Sequence, residues 1–170
     1  MKSFCTFVCC LVLLLGMAWS QTPQSPELKK LDELSGKWTC SGESRITPGI
    51  KTSASFECSW EKSGKILFCQ QQFQVDKTAS ADIMAFTFDT SSQIYVGTTL
   101  SSIGFPAVYT GSIQDGKWNF AREGTWQGKM AKYEFSRVNI GKGEATFAWR
   151  RSVAGGPWVP TSEGKCTRSN

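Results

Sequence analysis

Polar and apolar residues alternate with a period of two along most of the chain. The alternation is clearest from Thr52 to Trp60, where every second residue is apolar or small and the intervening positions are serine or glutamate. Because successive side chains of a strand point to opposite faces, this segment predicts a strand with one buried face and one wet face. Residues 62–65, which read KSGK, predict a hairpin turn, and residues 66–75 predict the returning strand.

The same pattern continues to the end of the chain. Further strands are predicted at 82–89, 93–100, 107–113, 117–123, 129–138, 144–153 and 158–167. Turn signals rich in Gly, Pro, Asp and Ser fall between them, at 91–92, 104–106, 115–116, 124–128, 141–143 and 155–157. Their even spacing, without a long helical period after Leu34, predicts an all-β fold of about ten antiparallel strands.

A helical period precedes the first strand. Ser25 and Pro26 are suited to the cap and the first position of a helix, and leucines follow at helical spacing at Leu28, Leu31 and Leu34. Gly36 can end the helix in a left-handed conformation, and the period changes to two from Trp38. We therefore predict an antiparallel β-barrel whose mouth is plugged by a short N-terminal helix.

Residues 1–20 have the features of a secretory signal peptide. Lys2 is followed by an apolar run from Phe4 to Leu15, and Ala18 and Ser20 supply small residues where a signal peptidase cleaves. We predict cleavage after Ser20, which leaves residues 21–170 as one domain. No later stretch is apolar and long enough to span a membrane. The sequence thus predicts a secreted protein, extracellular or periplasmic, without a stable membrane anchor.

Four cysteines remain after that cleavage: Cys40, Cys58, Cys69 and Cys166. An even number in an exported chain predicts two disulfides. If Glu61 pairs with Ile66 across the hairpin, Cys58 lies opposite Cys69, at a separation that a disulfide can adopt. This register favours Cys58–Cys69 and leaves Cys40 for Cys166, which requires the first and last strands to be neighbours. Cys40–Cys58 with Cys69–Cys166 is the alternative.

The amino-acid composition excludes several kinds of catalytic and cofactor-binding site. The chain has no histidine, so histidine-dependent nucleophilic catalysis, His-ligated haem and the usual catalytic zinc sites are excluded. The formal net charge is +5 without any run of like charges, so we expect no nucleic-acid partner. Most acids lie on polar strand faces or at strand ends. We therefore expect that the protein is not an enzyme and that it binds no metal and no cofactor. Catalysis by a pair of carboxylates is the remaining alternative.

Three predicted strands carry an aromatic-x-aromatic-x-Arg pattern on one face: Trp118, Phe120 and Arg122; Tyr133, Phe135 and Arg137; Phe147, Trp149 and Arg151. Their apolar partners indicate that this face points inward. Because consecutive strands run antiparallel, Arg122 and Arg151 should lie at one end of the barrel and Arg137 at the other. An arginine beside aromatic walls can hold a carboxylate or phosphate, so Arg122 and Arg151 are candidate anchors. Alternatively, these arginines reach the rim and pair with Glu123 or Glu163.

The candidate ligand-binding walls are Gln71, Trp118, Phe120, Tyr133, Phe135, Phe147 and Trp149. Gln71 is polar on an otherwise apolar face, so it either contacts a ligand or bonds to a neighbouring backbone group. The interior of a ten-stranded barrel is too wide for small side chains to fill. Large aromatic residues must fill it, and any space that they leave is a ligand cavity.

Several motifs together resemble a family of bacterial domains of unknown function with lipocalin-like barrels, akin to nitrobindin. They are PELKKL at 26–31 before LSGKWTC at 34–40, CSW at 58–60 followed by Gly64 and Cys69, Phe88-Asp89 and Tyr95-Val96, and Glu163-x-x-Cys166. The resemblance implies a closed barrel of about ten strands with a pocket and no established activity. Nitrobindin-like proteins bind haem through a histidine, which this chain does not have.

These observations predict a secreted carrier or sequestering protein for a small apolar or amphipathic molecule. The alternative is a protein-binding or inhibitory scaffold without a small ligand. In that case residues 101–106, which read SSIGFP, are the first place to look for an unknown protein partner, since they offer apolar residues between two strands.

Overall fold

The computed structural model describes residues 24–102, 104 and 106–169. A helix α1 (Pro26–Lys30) continues into a 3-10 helix (Leu31–Leu34), which precedes the strands. The ten strands are β1 (Gly36–Ser44), β2 (Lys51–Trp60), β3 (Leu67–Val75), β4 (Thr78–Asp89), β5 (Ile94–Ser101), β6 (Ala107–Gln114), β7 (Lys117–Trp126), β8 (Lys129–Gly141), β9 (Glu144–Val153) and β10 (Val159–Ser169). The predicted signal peptide, together with Ile103 and Phe105 of the candidate loop, lies outside the described residues. No helix in the described ranges has the length and apolarity needed to cross a bilayer.

The strands form a closed antiparallel barrel. Each strand pairs with its neighbours in the chain, and β1 pairs with β10 to complete the ring. The prediction of an all-β barrel of about ten strands with a short N-terminal helix is confirmed. Because the helix enters β1, the β2–β3, β4–β5, β6–β7 and β8–β9 turns share its end of the barrel, which we call the helix end. The remaining turns lie at the opposite end, which we call the far end.

Two disulfides connect neighbouring strands. Cys58 lies opposite Cys69 in the β2–β3 pair and is bonded to it, and Glu61 N–H donates to the carbonyl of Ile66 at 3.0 Å as the register argument requires. Cys40 lies opposite Cys166 in the β1–β10 pair and is bonded to it. The predicted pairings are confirmed, and the alternative of Cys40–Cys58 with Cys69–Cys166 is wrong.

The helical segment plugs the helix end of the barrel. Ser25 caps the helix as predicted, since its Oγ accepts the Leu28 N–H at 3.2 Å. Gly36, which follows the helical segment, has a positive φ of +93°. Leu31 is fully buried and packs in the main core cluster. Barrel side chains also hold the segment by its backbone. Tyr95 OH donates to the Glu27 carbonyl at 2.9 Å, Arg168 donates to that of Glu33 at 2.9 Å, and Trp38 Nε1 donates to that of Leu34 at 3.0 Å.

The hairpin between β7 and β8 is tighter than the sequence predicts. A turn was expected over residues 124–128, but β7 continues to Trp126 and only Gln127 and Gly128 form the turn, both with positive φ. Gly124 is instead a strand residue that gives room to a neighbour, because a Cβ there would lie 2.7 Å from Nη1 of Arg122. The glycine therefore marks the position of the Arg122 guanidinium rather than the end of the strand.

Candidate functional site

The aromatic-Arg faces of β7, β8 and β9 form three layers inside the barrel. Strand register groups the nine residues into a far-end layer, a middle layer and a helix-end layer. The far-end layer consists of Arg122, Tyr133 and Arg151, and the middle layer consists of Phe120, Phe135 and Trp149. The helix-end layer consists of Trp118, Arg137 and Phe147. As predicted from strand direction, Arg122 and Arg151 share one end of the barrel and Arg137 lies toward the other.

A cavity of about 140 Å³ lies between the middle and helix-end layers and the strands opposite them. Most of its walls are aromatic or aliphatic. All six residues of the middle and helix-end layers line it, together with Gln71 and a second set from other strands: Phe56, Phe73, Met84, Phe86, Thr99 and Tyr109. The aromatic rings pack in edge and tilted contacts, for example Phe135 with Trp149 at 4.7 Å between ring centroids. Core filling thus accounts for most of these aromatic residues, but it leaves a space among them.

Phe147 reaches the cavity wall because two glycines lie beneath it. Gly42 of β1 and Gly164 of β10 are paired, and a Cβ on either would come within 3.0 Å of a Phe147 ring carbon. Glycine in a strand interior weakens the strand, so its presence on two neighbouring strands indicates a packing requirement. The requirement here is the flat seat of the Phe147 ring.

Three of the nine predicted site residues do not line the cavity. Arg122, Arg151 and Tyr133 form the far-end layer, outside the lining. Arg122 donates from Nε to the Tyr109 hydroxyl at 2.9 Å, and its guanidinium carbon lies 4.0 Å from the centroid of the Tyr133 ring. Arg151 stacks at 3.6 Å on the ring centroid of Trp126.

The alternative considered for these arginines, ion pairs with Glu123 or Glu163, is not observed among the described residues. Glu123 pairs with Lys132, and Glu163 pairs with Arg45. The reason is geometric, because both glutamates lie on outward positions of their strands, whereas Arg122 and Arg151 point inward onto aromatic rings. Cation–π contacts replace the salt bridges that the sequence allowed.

Arg137 is the one charged residue that lines the cavity in the described part of the chain. Arg137 is only 2% exposed. Its guanidinium carbon lies 4.1 Å from the ring centroid of Trp38, and its Nε donates a hydrogen bond to Asn139 Oδ1 at 3.3 Å. Its Nη2 is buried and has no hydrogen-bond partner among the described residues. Burial lowers the pKa of Arg137 to about 10, while the nearby Glu33 carboxylate raises it and the Arg168 charge lowers it. Arg137 is therefore cationic at neutral pH.

Glu33 is the acidic residue whose charge acts on Arg137, but its carboxylate forms hydrogen bonds with other side chains. It lies on the 3-10 helix, and its Oε2 accepts hydrogen bonds from Asn139 Nδ2 and, at 3.2 Å, from Trp118 Nε1. Among the described residues, Arg137 forms no ion pair with Glu33 or with any other carboxylate. The result is a buried cation whose one hydrogen bond among the described residues runs from Nε to Asn139, while Nη2 is buried and unpaired.

Gln71 lines the cavity from β3, as the sequence predicts. Of the two roles considered for it, bonding to a neighbouring backbone group is not observed within the described ranges. The cavity lining in those ranges contains no Asp or Glu, and no group of three or more His, Cys, Asp or Glu side chains is arranged there to hold a metal ion. The arrangement offers apolar walls, a few neutral polar groups and one cation.

Comparison with protein families gives a match over nearly all of the chain. The profile of the family described as "Protein of unknown function (DUF1579)" matches residues 22–168. The chain belongs to this family. The expected resemblance to a family of domains of unknown function with lipocalin-like barrels is thereby confirmed. A comparison with curated proteins finds no match.

Solved structures similar to this DUF1579 protein share its fold. Rv2717c from M. tuberculosis is 12% identical, with a TM-score of 0.61, and the match covers 87% of this chain and 100% of that chain. The S-type phycobiliprotein lyase CPES from Guillardia theta is also 12% identical, with a TM-score of 0.56, and the match covers 87% of this chain and 99% of that chain. At this identity the likeness concerns the barrel itself.

Sequence reasoning missed the aromatic and methionine walls of the DUF1579 cavity that come from β2, β4 and β6. Phe56, Met84, Phe86 and Tyr109 all line it. The period-two pattern was a usable signal, since Met84, Phe86 and Phe88 share one face of β4. What the pattern does not give is depth along the barrel, which decides whether an inward residue meets the cavity or a plugged end.

Proposed function

We propose that this DUF1579 protein binds a small apolar or amphipathic molecule inside its barrel. The observation that carries the proposal is the interior cavity of about 140 Å³ with predominantly aromatic walls. Natural ligand sites combine such apolar walls with a few placed polar groups, and here Gln71, Thr99 and Tyr109 are the neutral ones. An apolar cavity of about 150 Å³ in another protein accommodates benzene, so the space suits a ligand of about one ring.

Binding is favoured over catalysis by the chemistry of the walls. The described lining has no acid to act as a general base and no histidine, and its only charged residue is a guanidinium. Arginine stays protonated near neutral pH, so it can orient or neutralise an anion but does not exchange protons readily. The proposed role is therefore carriage or sequestration of a ligand.

Toluene is a suitable neutral probe for the cavity. Met84 lines it, whereas Met130 is exposed near the β7–β8 turn at the far end, so the two methionine methyl groups report inside and outside. In a chain that begins at Gln21 these are the only methionines besides an initiator. With ¹³C-methyl methionine, we expect toluene to shift the Met84 resonance saturably and to leave the Met130 resonance in place. Equal shifts of both resonances, or no shift of Met84, would contradict interior binding.

Filling the cavity should prevent this binding. Ala54 lines the cavity from β2, and Ala54→Leu adds three carbon atoms to it. Because the added side chain enters existing space, we expect toluene affinity to fall at least tenfold while the free energy of unfolding changes by less than about 1.5 kcal/mol. Ser55→Leu, on the outward face of the same strand, is the matched control and should leave affinity unchanged. Isothermal titration calorimetry and urea unfolding give the two quantities.

Export is the second part of the proposal. It is supported by the two disulfides, which form and persist in oxidising compartments, and by the leader-like pattern of residues 1–20. The mature protein recovered from its host should begin at Gln21 and carry no free thiol. Intact mass measured before and after alkylation under denaturing conditions tests both statements. A chain that retains residues 1–20, or that gains four alkyl groups without prior reduction, would argue against export.

A further inference from the structure

We propose that Arg137 anchors the carboxylate of a small monoanionic ligand whose apolar part occupies the cavity. This inference rests on the proposed function and gives it a ligand class and an orientation. The acid group would lie toward the helix end, against Arg137, and the apolar group would lie toward the middle layer of Phe120, Phe135 and Trp149.

The first argument is the free donor of Arg137. Nη2 is buried without a partner among the described residues, while Nε is held by Asn139 and the guanidinium face lies on Trp38. These two contacts fix the plane of the guanidinium, and Arg137 lines the cavity, so a ligand there meets a cation whose position is already set. A buried donor left unsatisfied is destabilising, and an incoming oxygen acceptor removes that cost. A carboxylate oxygen does so with a charge-assisted hydrogen bond.

The second argument is charge. Arg137 is the only charged residue of the described lining, and its nearest acidic influence, Glu33, accepts hydrogen bonds from Asn139 and Trp118 instead. A buried cation without an ion-pair contact is unfavourable, whereas a carboxylate delivered by a ligand would supply that contact. One cation matches one negative charge, so a monoanion suits this site better than a dianion such as phosphate.

The third argument is size. The cavity has about the volume that accommodates one benzene ring, and its walls are aromatic edges and faces. A single ring, or a chain of about six carbons, with one carboxylate therefore fits the combination of space and charge. Arg122 and Arg151 do not offer this combination, because they lie outside the cavity lining and stack on Tyr133 and Trp126.

A matched pair of probes separates charge from shape. Phenylacetate and phenylacetamide have nearly the same size, and only the first is an anion at pH 7.5. By calorimetry we expect the wild-type protein to bind phenylacetate at least tenfold more tightly than phenylacetamide. In Arg137→Met that preference should fall to about one or below, while phenylacetamide affinity stays within threefold of wild type. Arg122→Met, at the far end, should keep the full preference.

The possible results differ in what they overturn. Equal affinity of both probes for the wild-type protein would refute the anchor and leave the interior binding site standing. Lack of binding by both probes, with no shift of the Met84 resonance by toluene, would refute interior binding itself and the anchor with it. A preference lost in Arg122→Met but kept in Arg137→Met would refute the role of Arg137 and move the anchor to the far end.

Arg137→Lys keeps the test decisive if the methionine variant folds poorly. Lysine retains the charge but loses the planar fork that fits a carboxylate, so part of the preference should remain. We expect a phenylacetate preference between that of wild type and one. A purely structural role for Arg137 would instead leave the ratio of the two affinities unchanged in the lysine variant, whatever happens to stability, and would contradict the proposal.

Discussion

Replacing both Cys40 and Cys166 by alanine should lower the free energy of unfolding by about 5 kcal/mol, the largest effect expected for this protein. The disulfide closes a loop with a sequence separation of 126 residues. In the chain-entropy account, the stabilisation grows with the logarithm of loop length, because a longer loop loses more freedom in the unfolded state. Urea unfolding followed by tryptophan fluorescence measures the loss.

The second disulfide is the matched control. Cys58 and Cys69 are as buried as the first pair, but their sequence separation is only 11 residues. The corresponding double alanine variant should lose about 3 kcal/mol, so the two variants should differ by about 2 kcal/mol. Equal losses would show that packing of the sulfur atoms, rather than loop length, determines the contribution of each bond.

Leu31→Ala should lower the free energy of unfolding by about 3 kcal/mol. Leu31 is fully buried, with 0% solvent accessibility, and it lies on the 3-10 helix that plugs the helix end of the barrel. Truncating a fully buried leucine removes apolar contacts and leaves a cavity, which costs about 2–5 kcal/mol in well-packed proteins. Thermal or urea unfolding of the single variant gives the value.

Leu28→Ala serves as the comparison for Leu31→Ala. Leu28 lies one helical turn earlier and is only partly buried against the same cluster, so we expect a loss of about 1 kcal/mol. Together the two variants test whether the plug is held by its deepest side chain. If both cost the same, the backbone hydrogen bonds from Tyr95, Trp38 and Arg168 would be the dominant attachment.

The barrel could be predicted from the sequence because its evidence is local. Alternation from Thr52 to Trp60, a short turn and the alternation that follows fix the β2–β3 register, and this register brings Cys58 opposite Cys69. The pairing of Cys40 with Cys166 then follows by elimination and implies that the ring closes. Gly124 misled the prediction because a glycine that gives room to a neighbouring side chain looks the same in sequence as a glycine in a turn.

The candidate site could be predicted only in part. Alternation correctly assigned Trp118, Phe120, Phe135, Phe147, Trp149 and Gln71 to the interior, and strand direction correctly separated Arg137 from Arg122 and Arg151. The emphasis on the pair at one end was misplaced with respect to the cavity. The difference arises from the helix plug, which buries Arg137 while Glu33 bonds to Asn139 and Trp118, and no pattern within β8 contains that information.

The pairing of β1 with β10 also sets the order in which the chain can complete its fold. During synthesis the first strand emerges long before the last, so its partner arrives only when residues 159–169 are present. Until then β1 and the growing end of the sheet each present an unpaired edge, the kind of surface through which chains aggregate. Such sequence-distant pairing is also slow to form. A chain that stops before β10 would therefore keep two unpaired, aggregation-prone edges. Addition of the last strand closes the open sheet into a barrel without free edges.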